Sequence, residues 1–240
     1  MKSMGQTEPS IEYISYRDVV SPLILKRDIY PNMYRNYYWS DDFSVENYVA
    51  LAKAGFISVT EEYRGEEFLI PEIQYKYAIL DFEDLHISKK VNRILKKDSL
   101  SLDICSSLDE VAKEINTLHK NSWLSKRYLQ TLKDTKGFDD NFRVVSVVLK
   151  DDGVSVAGEI GYMIGKTYTS LTGFSNRDRA YRNYGTVQLV LLAKYLKKNG
   201  FDFWNLGQPY MDYKLALGAK IYNRDDFLKR WNFSAFIGKV

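Results

Sequence analysis

Two stretches of the 240-residue chain combine residue types and spacings that could do chemistry. In Tyr181-Arg182-Asn183-Tyr184-Gly185-Thr186-Val187-Gln188-Leu189, an Arg-x-x-Gly sequence runs into helical periodicity. A helix starting there presents free backbone N–H groups, and Gly185 lets an anionic group approach them closely. Arg177, Arg179 and Arg182 add three guanidinium groups beside that turn. The second stretch is a helix predicted over 87–97, with Val91, Ile94 and Leu95 as an apolar stripe. Lys89, Lys90, Arg93, Lys96 and Lys97 lie on the opposite arc. Five cations without an acidic partner make either a phosphate track or a solvated helix face.

Other chemistries find little support. His86 and His119 are the only histidines, and neither has a second ligand at useful spacing, so no metal site is expected. There is no Gly-x-Ser-x-Gly elbow for a serine hydrolase. Cys105 is the sole cysteine, which excludes an internal disulfide and makes a reducing, cytoplasmic setting the default expectation.

The elements that must position these residues follow from periodicity and turn chemistry. Ser44 reads as the N-cap of a helix reaching Ala54, with Glu46 in its first turn and Gly55 just beyond its end. Strands at 56–60, 68–70 and 75–82 follow, the first two joined by Tyr63-Arg64-Gly65. Residues 1–84 are therefore expected to form a small α+β module. From His86 onward the predicted order is helix, strand, two helices, three strands, a long helix, a strand and short helices. The three strands, 143–150, 154–164 and 166–174, are separated by Asp151-Asp152-Gly153 and Gly165-Lys166, so they form an antiparallel meander. It leads into a helix over 185–199, stopped by Gly200, and a returning parallel strand over 201–206. Gly207-Gln208 then lies at the carboxyl end of that strand, where open sheets place their ligands. The fold class expected is α/β (α+β) with a mixed, largely antiparallel central sheet over residues 85–240.

Composition sets broad limits. The formal charge of +3, against 34 basic and 31 acidic side chains, does not by itself announce a nucleic-acid binder. The first ten residues are polar, and no run approaches the length of a membrane span, so a soluble protein without a membrane partner is expected. The 19 tyrosines concentrate toward the first third, where the type packs its ring and wets its hydroxyl, or stacks on a base or peptide.

The order of meander, glycine turn, long helix and parallel strand resembles the GNAT acyltransferases, which cradle a pyrophosphate at that turn. Val187 stands where their second small residue belongs, and a β-branched side chain there would crowd coenzyme A. Further landmarks, in order over about residues 40–231, are similar to the leucyl/phenylalanyl-tRNA–protein transferases, whose C-terminal domain is GNAT-like. They are Asp41 to Glu46 with Gly55-Phe56-Ile57, and Leu85-His86-Ile87-Ser88 with its basic helix. Trp123-Leu124, Gly173-Phe174-Ser175 and Asn183 to Leu189 come next. Gln208, ten residues before Gly218 of Ala216-Leu217-Gly218-Ala219, and a final Arg224-x-x-Phe227 close the series.

That resemblance implies attack by a protein's α-amine on the ester of an aminoacyl-tRNA. The partners are then a tRNA acceptor stem and a protein or peptide N-terminus, with no cofactor. Lys89, Lys90, Arg93, Lys96 and Lys97 would meet the stem, and Trp123, Phe174, Ser175, Arg182, Asn183 and Gly185 would line the substrate pocket. The chain departs from the family where its carboxylates stand. Gly-Glu-Ser reads Ser170-Leu171-Thr172 here, and the strand Asp falls on Asn205 or Leu206. Glu159, on the central meander strand where many GNAT enzymes carry a glutamate, is then either a replacement base or a solvated strand residue. Asn205 and Gln208 complete the candidate catalytic set. Two further readings stay open: a coenzyme A-dependent N-acyltransferase using acetyl-CoA, and a non-catalytic tRNA-binding descendant.

Overall fold

The computed structural model describes residues 11–104, 107–119 and 122–236. Cys105 and the polar stretch 1–10 lie outside the described residues. The chain divides into two compact units, Met1–Ile73 and Gln74–Val240. Among the described residues no helix is long and apolar enough to cross a membrane.

In the first unit, β1 (Glu12–Tyr13) precedes the short helices α1 (Tyr16–Val19) and α2 (Pro22–Ile24) and pairs in parallel with β2 (Tyr38–Trp39). Ser44 caps α3 (Val45–Lys53) by accepting from the Asn47 amide, and Gly55, at φ 90°, supplies the left-handed residue just past its end. β3 (Ile57–Tyr63) and β4 (Glu66–Glu72) form a hairpin closed by Arg64 and Gly65, both at positive φ. Tyr48, Leu51, Phe56 and Leu69 are buried.

The second unit opens with β5 (Lys76–Leu80) and α4 (Lys89–Ile94), followed by β6 (Leu100–Ile104), α5 (Leu108–Leu118) and α6 (Lys126–Asp134). The meander is β7 (Phe142–Asp151), β8 (Val154–Ile164) and β9 (Thr167–Ser175), and it leads to α7 (Tyr184–Lys198) and β10 (Phe203–Asn205). α8 (Asp212–Ala216), β11 (Lys220–Asn223) and α9 (Arg224–Phe236) end the unit. One seven-stranded sheet runs β11-β5-β10-β9-β8-β7-β6, antiparallel throughout except where β10 lies parallel to β9. This is the mixed, largely antiparallel sheet expected, with a helix connecting its single parallel pair.

The expected boundary at 84/85 moves forward to 73/74, because β5 pairs with β10 and β11 instead of joining the strands before it. Arg224 and Phe227 help to hold β5 within the second unit. Arg224 is 1 % exposed and donates to the Gln74 carbonyl, and Phe227 stacks on Tyr77 at 3.7 Å.

The core lies between α7 and one face of the sheet. Val187, Val190, Ala193 and Leu196 bury against Val145, Val147, Leu149 and Met163. Each of the valine, leucine and methionine side chains contributes about 1.5–3 kcal/mol on leaving water, so this interface fixes where α7 begins relative to β8 and β9.

Candidate active site

A cavity of about 760 Å3 opens in the second unit where α7 starts, above the carboxyl half of β9 and the middle of β8. The end of α5, the segment before α6 and the segment around α8 form its remaining wall.

Its floor holds a buried carboxyl group. Glu159, from β8, is 4 % exposed. Tyr168 Oη and Ser170 Oγ each lie 2.8 Å from its Oε1, and Gln188 Nε2 lies 3.1 Å from Oε2. The Trp204 indole N–H can only donate, and it points at Ser170 Oγ at 2.8 Å, so the serine hydrogen turns to Glu159. Burial raises the Glu159 pKa above the ordinary carboxyl value, against the opposing pull of these three hydrogen bonds. The solvated strand glutamate that remained open from the sequence is therefore replaced by a fully buried, hydrogen-bonded one.

The strand beside it is irregular. Ile160 pairs with Thr172 but Gly161 pairs with Ser170, which leaves Leu171 as an unmatched bulge residue. A bulge breaks the ladder and re-aims the strand. Here residues 170–175 of β9 all reach the cavity wall.

The start of α7 meets the same space. Asn183, at φ 73°, makes no side-chain cap, while Gly185 and Thr186 line the cavity. Val187 was expected to crowd an anion at this turn. It is instead fully buried in the core, because its place on the helix faces the sheet, so it does not stand over the open N–H groups.

The structure brings together Glu159, Trp123, Phe174, Ser175 and Gly185 on this cavity, with Arg177 at its edge. Arg182 and Asn183 are exposed and lie outside the lining. Asn205 is 1 % exposed and accepts from the Gly207 amide at 2.9 Å, also off the cavity wall. Gln208 lies outside the lining too, and its main-chain carbonyl accepts from Lys214 Nζ at 2.7 Å.

Sequence reasoning missed Gln188, Ser170 and Lys214. Gln188 stands four residues after Tyr184 on the buried face of α7, and a polar residue on an apolar helix face was the available signal. Lys214 is 6 % exposed and lines the cavity. Burial brings its ammonium down to about 8.

The basic segment is shorter as a helix than expected. α4 ends at Ile94, with Ser88 as its N-cap, so Lys96 and Lys97 follow it. Lys89, Lys90, Arg93 and Lys96 are exposed. Lys97 is committed elsewhere: its Nζ lies 2.8 Å from Asp151 and 2.7 Å from Tyr184 Oη, which removes it from the proposed track. Hydrogen bonds from Lys97, then Ser99 and Tyr184, hold the Asp151 carboxyl down at about 2. Among the described residues no group of three His, Cys, Asp or Glu side chains could hold a metal ion.

The family model for leucyl/phenylalanyl-tRNA protein transferase matches residues 79–232. No curated protein sequence matches the chain. Solved structures of similar shape include FemX, at 10 % identity over 90 % of this chain and 80 % of that one, with a TM-score of 0.49. L-PGS from Bacillus licheniformis is 14 % identical over 67 % of this chain and 65 % of that one, with a TM-score of 0.41. A GCN5-related N-acetyltransferase from Kribbella flavida is 11 % identical over 72 % and 59 %, with a TM-score of 0.38.

Proposed function

The chain belongs to the leucyl/phenylalanyl-tRNA protein transferase family, a family of acyltransferases, and from that premise we propose the particular reaction it performs. It moves an amino acid of leucine, phenylalanine or methionine type from aminoacyl-tRNA to the N-terminal amine of a protein or peptide. The observation that carries this reading is the buried Glu159 network on the cavity floor. The carboxylate missing from the β9 segment Ser170-Leu171-Thr172 is supplied from the neighbouring strand, 2.8 Å from Ser170 Oγ.

The chemistry required is modest. An aminoacyl ester is already activated, so most of the work is to hold amine and ester in attacking geometry and to stabilise the oxyanion. The unmatched bulge residue Leu171 and the uncapped start of α7 both offer backbone N–H groups at the cavity. Trp123, Phe174 and Leu189 give one side of it an apolar lining that suits a large uncharged side chain. Lys89, Lys90, Arg93 and Lys96 suit the phosphates of a tRNA acceptor stem, which is recognised mainly by shape and backbone. A charged-tRNA donor also places the work in the cytoplasm.

Transfer of radiolabelled leucine, phenylalanine or methionine from charged tRNA to peptides with different first residues tests this directly. Label appearing at the peptide N-terminus is the expected result, and no transfer from any donor overturns the reading. The burial of Val187 favours a second one, an acyl-coenzyme A donor, since that side chain does not stand over the start of α7. Thermal stabilisation by acetyl-CoA would mark that alternative.

A further inference from the structure

Lys214 is the least expected side chain on the cavity wall. Its residue is 6 % exposed, and among the described residues its ammonium has one hydrogen-bond partner, the neutral Gln208 carbonyl at 2.7 Å. Among the described residues no carboxylate stands within ion-pair distance of it. An unpaired buried ammonium is costly to a fold, and the group commonly answers by giving up its proton. Glu159, by contrast, is held on both oxygens by three donors, so at most one of its four acceptor sites is open before any substrate arrives.

We propose that Lys214 is the catalytic proton shuttle of the transfer, an inference that rests on the aminoacyl-transfer reading above. As the neutral α-amine of the acceptor forms its C–N bond with the ester carbonyl carbon, the Lys214 Nζ lone pair takes one proton from that nitrogen. As the ester C–O bond breaks, the resulting Lys214 ammonium returns the proton to the departing ribose oxygen. One amide and one free hydroxyl are formed, and Lys214 ends the cycle neutral, as it began. Burial tunes the lysine close to the ordinary value of an α-amine, about 8, so neither proton transfer is strongly uphill.

The other titratable or charged groups on the cavity are Glu159 from β8, His119 after α5, Arg177 after β9 and Tyr213 beside Lys214. The segment bonded to the end of α8 contributes His86, through its amide to the Leu217 carbonyl, and Asp84, paired with Lys220. All of these remain in the variants that test Lys214.

The experiment measures kcat/KM for transfer from charged tRNA to one peptide, between about pH 6 and 9, in wild type, Lys214→Arg and Lys214→Met. The acceptor amine titrates in all three enzymes and Lys214 only in the first. Below about pH 8 the wild-type logarithmic plot is expected to rise with a slope near 2, and the variants with a slope near 1 and rates roughly a hundredfold lower or less. Lys214→Arg keeps the charge and cannot act as a base at these pH values, so a wild-type rate in that variant overturns the shuttle and assigns Lys214 to binding an anion. A wild-type slope near 1 overturns it even if both variants fail to fold. No transfer by wild type from any donor removes this inference together with the reaction it serves, an outcome separate from the other two.

Discussion

Trp204 fixes which way the Ser170 hydroxyl points: the indole N–H donates to Ser170 Oγ at 2.8 Å, and the serine passes its own hydrogen to Glu159. Replacing tryptophan by phenylalanine keeps the ring and removes the donor. Trp204→Phe and Ser170→Ala are each expected to destabilise the protein by about 1–3 kcal/mol, because each leaves a buried polar group short of a partner. Urea unfolding of both variants and of the double variant should show a coupling of roughly 0.5 kcal/mol or more. Simple additivity would mean that the relay from Trp204 to Glu159 carries no energy of its own.

Gly158, one residue before Glu159, has no room for a side chain. A Cβ there would stand 2.5 Å from the Val147 carbonyl oxygen and 2.6 Å from a Phe174 ring carbon. Gly158→Ala should lower stability by about 1–3 kcal/mol through overpacking. It should also raise KM for the donor, since the ring that must yield lines the cavity. A thermal melt unchanged from wild type would show that β8 can shift away from β7 at this point.

Acid should loosen the junction of β7 with α7. The Asp151 carboxyl is held at about 2, below its ordinary 3.8, by Lys97, Ser99 and Tyr184. A depressed carboxyl stabilises the fold above its unfolded pKa, and that contribution disappears as pH falls through the folded value. Asp151→Asn should thus cost about 1–3 kcal/mol at neutral pH, toward the low end because the Lys97 side chain is 48 % exposed. The gap from wild type should close between about pH 4 and pH 2. Urea midpoints across that interval measure it, and a gap constant with pH would count against the assignment.

The basic segment should divide into two kinds of lysine. Removing charge at Lys89, Lys90 and Arg93 together is expected to weaken tRNA binding and to flatten the dependence of log affinity on log salt by roughly 0.7–0.9 for each phosphate no longer neutralised. Lys97→Gln should leave that slope unchanged and lower stability instead, because its ammonium is bound to Asp151 and Tyr184. Affinity measured over a salt series for the two variants separates these effects.

The parts of this fold legible in the sequence are those set by local chemistry. Asp152 and Gly153, both at positive φ, closed the β7–β8 turn where the composition placed it, and Ser44 and Gly200 marked helix ends correctly. The cavity's polar floor was half legible: Glu159 stood out by its strand, but its partners Tyr168, Ser170 and Gln188 come from two other elements. Lys214 was invisible because a lysine between Tyr213 and Leu215 in a five-residue helix reads as a surface residue. Only the packing of the surrounding segments buries it. The helix predicted to reach Lys97 stops at Ile94, and Lys97 beyond it is bonded to β7 and α7, partners far away in sequence that no local pattern announces.

The place of β5 in the large sheet has a consequence for how the protein comes off the ribosome. Both its neighbours, β10 and β11, are translated long after it, so this strand emerges early and waits with two bare edges until almost the whole chain has been made. Unpaired edges invite pairing with other chains. Products of interrupted translation that end ahead of β10 would therefore be hazardous to the cell, and the nascent chain would benefit from a chaperone over that interval.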